Sequence, residues 1–362
     1  MDPITSELSI DEARTNTIKT VRFLTVDEAV PRFSLPDQEK EDRTAALFAD
    51  EPLQIFDVQG RLTFYEFVGR LERGAEVRAR AAANALLAAP VFSLTVGPAI
   101  DIFRQIAIAE QQAMSLGLRP RLLPHALVAY SYPKLGLLCE DSNDSLVVVD
   151  LFEFNTSSVS ILSERRQARA EAPAIWSPFD RAHPASVGER REEWETNLSV
   201  ISDSEAGPVG AEEYVIKGAK CVAQQNERFC ACACAKMILD FHGITLSQLA
   251  ISDAMRTGAD GSTNENQIKA YSELSGHALV AKLDSTASFL EAKDECLADL
   301  PMKSGVPGHA RVVAGWRTQT KGALTSSWLW ILDPWPVGSG RTYWENWDAI
   351  PHSNFIYVLP RE

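Results

Sequence analysis

The chain carries no excess of positive charge: 35 Lys and Arg stand against 49 Asp and Glu in 362 residues, a formal net charge of −14. Binding to nucleic-acid phosphates takes clustered Lys and Arg, so no nucleic-acid partner is expected, and no anionic membrane surface. No stretch reaches the roughly 18 apolar residues of a membrane span. The longest candidate, Val91 to Ile108, is broken by Gly97, Pro98, Asp101, Arg104 and Gln105. The opening Met-Asp-Pro and the early acidic residues lack the basic segment and apolar run of a secretory signal. A cytoplasmic location is therefore expected, with signal-less export as an effector as the other route. Repeats of fixed period and low-complexity tracts are also missing.

Cysteine is scarce. Of six, Cys230, Cys232 and Cys234 alternate within one segment. A chain this long buries a core without staples, so the cluster reads as reduced core residues or a reactive thiol rather than a disulfide framework. A zinc reading fails on spacing, because such sites pair Cys-x2-4-Cys motifs and use four ligands. No metal and no cofactor are expected.

What is present is ordinary for a globular protein: 45% apolar and 23% charged residues. The length predicts two domains. Residues 1–50 read as a polar arm. Residues 51–160 read as a separate α/β or α+β domain of unknown role. In it, Leu53 to Val58 is expected as a strand and Leu62 to Leu87 as a long helix, on an apolar stripe and an Ala-rich second half. Val91 to Val96 reads as a buried strand. Pro98 to Leu116 reads as a helix stopped by Gly117. Strand-like pieces follow at Leu122 to Tyr130, Gly136 to Cys139 and Ser145 to Phe152, with a turn at Asp141 to Asp144 between the last two. Residues 161–209, rich in Pro and charge, read as a linker with a docked helix or two. The last unit is 210–362.

That last unit holds the chemistry. From Cys230 the Ala-rich run predicts a helix stopped by Gly243, with Cys230, Cys234, Met237, Ile238 and Phe241 on one face. A thiol at a helix N-terminus meets free N–H groups and the positive end of the dipole, which favour thiolate, the nucleophilic form. Gln224, six residues upstream, has an amide that can join the Cys230 N–H as an oxyanion donor. Gly308-His309 opens an alternating strand that runs to Gly315-Trp316, and Trp328 to Asp333 forms a second strand ending in Asp333-Pro334. An antiparallel pair turning near Lys321-Gly322 brings His309 and Asp333 to one end of the sheet.

These motifs resemble bacterial papain-like cysteine proteases, the group holding effector proteases and bacteriocin-leader peptidases. A Gln six residues before Cys230, then Cys-x-x-Ala-Cys-Ala-x-Met, carries the likeness, with Ala231 where relatives have Trp. The resemblance covers roughly 215–350. It implies an α+β papain-like domain, with a helix bundle carrying Cys and an antiparallel sheet carrying His and Asp. It further implies peptide-bond hydrolysis by Cys230 as nucleophile, His309 as base, Asp333 as the imidazole's partner and Gln224 in the oxyanion hole, in the papain order. Gly308 and Trp335 are expected near the substrate cleft, and the partner is a protein or peptide substrate. Ala231 leaves a second reading, a weakened papain-like module that binds peptide. A third keeps Cys, His and Asp for acyl transfer to an amine or for deamidation, because one triad serves several chemistries.

Overall fold

Aromatic and β-branched residues recur between Leu53 and Arg70, and this stretch folds as strands. The computed structural model describes residues 6–23, 46–48, 50–70, 75–159, 177–181, 187–202, 211–259, 261–321 and 324–361. Helix α1 (Ile10–Phe23) precedes strands β1 (Leu53–Phe56), β2 (Leu62–Arg70), β3 (Ala75–Ala82) and β4 (Val91–Pro98).

The long helix expected over Leu62 to Leu87 is not formed. β2 and β3 are antiparallel, with Glu66 opposite Arg80, Phe67 opposite Ala79 and Phe64 opposite Ala82. Helix propensity separates ordinary residues by less than about 1 kcal/mol each, and pairing overrides it here. Phe64, Tyr65 and Phe67 suit a pleated, buried surface. The register also sets buried Glu66 2.7 Å from Arg80 and 2.9 Å from Arg78. Burial pushes the Glu66 carboxyl up, but the two guanidiniums more than offset it and hold it at about 2. Ala79, Ala81 and Ala82 of β3 are fully buried.

Helix α2 (Ile102–Ser115) starts later than the expected Pro98, because Asp101 caps it by accepting from the Arg104 N–H at 3.0 Å. Strands β5 (Arg119–Pro120), β6 (Leu127–Ser131), β7 (Lys134–Glu140), β8 (Leu146–Asp150) and β9 (Thr156–Ser158) follow. The Asp141 turn forms as expected, with its carboxylate accepting from the N–H groups of Asn143 and Ser145. Of the expected linker, residues 161–176, 182–186 and 203–209 lie outside the described residues. Helix α3 (Val187–Ser202) within it buries Trp194 and Leu198, and α1 packs against it.

The remaining elements are β10 (Ala211–Val215), α4 (Cys230–Phe241), α5 (Gln248–Ala254), α6 (Asn264–Leu274), β11 (Leu279–Asp284), α7 (Phe289–Leu297), β12 (Met302–Val306), β13 (His309–Lys321), β14 (Leu324–Asp333), β15 (Arg341–Asn346) and β16 (Asn354–Pro360). The architecture is α+β. The strands join one sheet in the order β11-β16-β12-β13-β14-β15-β4-β3-β2-β1-β6-β7-β8-β9, with β10 on β13 and β5 on β7. β4 meets β15 through Thr95–Tyr343, Leu94–Trp344 and Ser93–Glu345. One face of α4 (Cys234, Met237, Ile238) packs with Ile251 and Met255, with Tyr271 of α6, and with Val312 and Leu332 of the sheet. Among the described residues no helix is long and apolar enough to cross a membrane.

Candidate active site

The loop before α4 is stitched down from both sides. The Gln224 N–H donates to Pro334 O at 2.9 Å and the Gly338 N–H to Gln224 O at 3.0 Å. From α5 side, Gln248 accepts from the Gln225 N–H and donates to Ala223 O, at 3.1 and 2.7 Å. The loop delivers Cys230 as the first residue of α4. Its N-cap, Phe229, makes no side-chain capping bond, so the first N–H groups of the helix stay available to a ligand.

His309 is placed by a tight hairpin. Val306 pairs with His309 across Pro307-Gly308, and Gly308 takes φ +74°, the conformation that a turn with Pro then Gly needs at its second position. Asp333 is the last residue of β14. β13 and β14 pair with Val312 opposite Leu332, which brings His309 and Asp333 to the same end. The connection expected at Lys321-Gly322 includes Gly322, outside the described residues, while Lys321 pairs with Leu324 across it.

The His309 Nε2 lies 2.7 Å from Asp333 Oδ1, both side chains being buried. Asp333 Oδ1 also accepts from the Trp335 N–H at 3.0 Å, Oδ2 accepts from the Tyr343 hydroxyl at 3.0 Å, and Arg341 Nε stands 3.5 Å from Oδ2. Burial opposes ionisation of Asp333, yet His309, Arg341 and Arg311 hold it well below the usual carboxylate range. With Nε2 taken, Nδ1 is the ring nitrogen left for the thiol, and His309 and Cys230 line the same cleft. Burial pushes the Cys230 thiol up. The His309 hydrogen bond and charge, with Lys134, more than offset that and bring it below its ordinary value. Burial likewise lowers His309, while Asp333 and Cys230 raise it above the usual imidazole value. The other cysteines go the opposite way: burial pushes Cys139 and Cys232 to about 11 and Cys221 and Cys296 to about 12, with Cys234 well above the ordinary thiol.

A cleft of about 330 Å³ opens over this chain of groups, and Cys230, His309, Gly308 and Ala231 line it. Trp335 is placed otherwise. It is 1% exposed, beneath the Arg341 guanidinium and edge-on to Phe152 at 4.8 Å, and so stands behind Asp333 rather than on the cleft wall.

Gln224 is fully buried, and its amide is committed. Nε2 donates to Glu153 Oε1 at 2.8 Å and to Asn226 O at 3.0 Å, while Oε1 has no hydrogen-bond partner. Both partners of Nε2 are acceptors, so the orientation of the amide is fixed.

Sequence reasoning missed the far wall of the cleft. Tyr130, Lys134 and Asn155 of the 51–160 segment line it, and Glu153 reaches Gln224 from the same segment. No sequence signal marks them, since β6–β9 reach the site only through tertiary packing. Tyr343 and Arg341, which hold Asp333, sit on β15 with no motif around them.

Residues 219–313 match the model of the Peptidase C39 family. The match takes in Gln224, Cys230 and His309, ends before Asp333, and agrees with the resemblance drawn from the Cys230 and His309 motifs. No curated protein matches the chain. Among solved structures it is similar to the peptidase domain of Streptococcus ComA, a bi-functional ABC transporter involved in a quorum-sensing pathway (18% identity, 40% of this chain and 99% of that one, TM-score 0.30). It is also similar to a double glycine motif protease from an AMS/PCAT transporter in complex with the leader peptide (21%, 41% and 99%, TM-score 0.29). A further similarity is to UfSP from C. elegans (17%, 44% and 36%, TM-score 0.32).

Proposed function

We propose that the 210–362 unit, which contains the segment matching Peptidase C39, is a papain-like cysteine peptidase, in which Cys230 attacks a peptide carbonyl, His309 exchanges the proton and Asp333 steadies the imidazole. The observation that carries this reading is the 2.7 Å contact of His309 with Asp333 in the cleft that Cys230 also lines, Cys230 being the one cysteine of six whose thiol is lowered.

Each residue has a physical task. Cys230 and His309 share a proton as thiolate and imidazolium. Asp333, held ionised by its donors, fixes the tautomer and stabilises the positive ring. The thiolate adds to the carbonyl carbon, and the developing oxyanion takes the Cys230 N–H and the Gln224 amide as donors. His309 protonates the leaving amine through Nδ1, and water then releases the acyl group from sulfur. The substrate is a protein or peptide strand. The unit over 210–362 carries the chemistry, and the 51–160 unit supplies a wall.

A proteome digest by the wild-type chain, compared with Cys230→Ala, tests the reading by counting new N-termini. Termini that appear only with wild type, with a shared sequence preference, are expected. Identical terminus sets would overturn it.

A further inference from the structure

The turn between β8 and β9 is built to hold one shape. Asp150 Oδ1 accepts from the N–H groups of Phe152 and Glu153, both at 2.8 Å, and Oδ2 from the Tyr130 hydroxyl at 2.5 Å. The Phe154 N–H returns to Asp150 O at 3.1 Å. Phe154 itself takes φ +55°, a backbone conformation that a bulky residue keeps only when its surroundings impose it, and one that clusters at functional sites.

Three side chains of this turn dock on the catalytic loops. Phe152 packs on Trp335 at 4.8 Å between ring centroids, Glu153 Oε1 accepts from Gln224 Nε2 at 2.8 Å, and Asn155 Nδ2 donates to Glu227 Oε2 at 2.6 Å. Lys134 Nζ lies 3.5 Å from Glu153 Oε2, and the Glu153 side chain is 2% exposed. A primary amide has two N–H groups, and Gln224 spends one on Glu153 and the other on Asn226 O. In this state Gln224 offers nothing to an oxyanion.

We propose that Glu153 is a built-in latch: its carboxylate occupies the oxyanion donor of Gln224, so the N-terminal unit slows the peptidase until the β8–β9 turn is displaced. The latch rests on the peptidase reading and on Gln224 being an oxyanion donor. A carboxylate at that donor competes with the oxyanion for the same hydrogen bond and adds like charge beside it. Freeing a donor of this kind is worth about 10²–10³ in rate.

The test separates the latch from the nucleophile. Alkylation of Cys230 by iodoacetamide is a displacement at carbon that forms no oxyanion, whereas acylation by p-nitrophenyl acetate passes through one. Both are measured at pH 7 on the full-length wild type, Glu153→Ala, Glu153→Asp and the double variant Glu153→Ala/Gln224→Ala. Glu153→Asp keeps the charge facing Lys134 and shortens the reach by one methylene, so it preserves folding if Glu153→Ala does not. Alkylation is expected to stay within about twofold of wild type in the two single variants. Acylation is expected to rise at least tenfold in Glu153→Ala and less in Glu153→Asp, and the gain is expected to vanish in the double variant. Unchanged alkylation with no faster acylation in either single variant overturns the latch and leaves the nucleophile standing, as does a gain that survives loss of Gln224. Alkylation of wild-type Cys230 no faster than that of the other cysteines overturns the peptidase reading, and the latch with it.

Discussion

At the scale of single residues, the six cysteines form an internal control. Five are raised because burial outweighs every group that would lower them, four of them to about 11 or 12, while Cys230 is lowered by His309 and Lys134 despite burial. A lower thiol carries more thiolate at pH 7, only partly offset by its lower nucleophilicity, so iodoacetamide is expected to label Cys230 at least about tenfold faster than the others. His309→Ala should remove most of that advantage, which peptide mapping by mass spectrometry reads directly. Asp333→Asn leaves the shape and removes the charge. Breaking a buried pair by neutralising one partner costs about 3–5 kcal/mol, seen as a lower urea midpoint. The pH dependence has a definite sign. The depressed Asp333 contributes stability above its unfolded value near about 4, lost as pH falls through its folded value. The raised His309 contributes stability below about 6.5, lost as pH rises through its folded value. The advantage of wild type over Asp333→Asn is therefore widest between about pH 4 and 6.5. The meeting of His309 with Asp333 was legible in sequence, because an antiparallel pair of alternating strands brings both to one end of the sheet. Glu153 was not, since a lone acid after a strand carries no local mark and meets its partner 71 residues away.

At the scale of elements, the legible parts were those with local causes. α4 follows from alanine propensity and a glycine stop, and β13–β14 from alternation ended by Asp-Pro. The β2–β3 hairpin was misread because alanine favours helices in isolation, while the pairing partners that reverse this preference are remote. β13 shows how tightly such pairing constrains an element. At Gly315 the β13–β14 register shifts, and β10 lies on the other edge. A Cβ there would stand 2.7 Å from Tyr214 O and 3.0 Å from Trp330 Cβ. The first is backbone of a paired strand and cannot yield cheaply. Gly315→Ala is expected to destabilise by about 1–3 kcal/mol in urea titration. It should also slow Cys230 alkylation, because the same strand carries His309.

At the scale of the whole molecule, the site lies against a face that the N-terminal segment covers. Trp328 and Trp344, at 1% and 2% exposure, share a cluster with Phe67, Val77 and Leu94. A fragment of 210–362 alone would expose both indoles and the paired edge of β15, a template for association. It is expected to sediment as aggregates at concentrations where the full chain is monodisperse, which analytical ultracentrifugation distinguishes. Length and composition gave only the expectation of two units, and the seam was not legible, since strand order across it depends on pairings that no local pattern encodes.

That seam is narrow: three residue pairs join β4 to β15 in a sheet of sixteen strands. Ladder bonds across so short a run are few, and the run lies beside the site rather than through it. Any agent that parts the halves there loosens the covering wall first, while His309 and Asp333, anchored on a longer ladder, keep their spacing. The molecule thus has a way to bare its sulfur without dismantling the machinery that charges it.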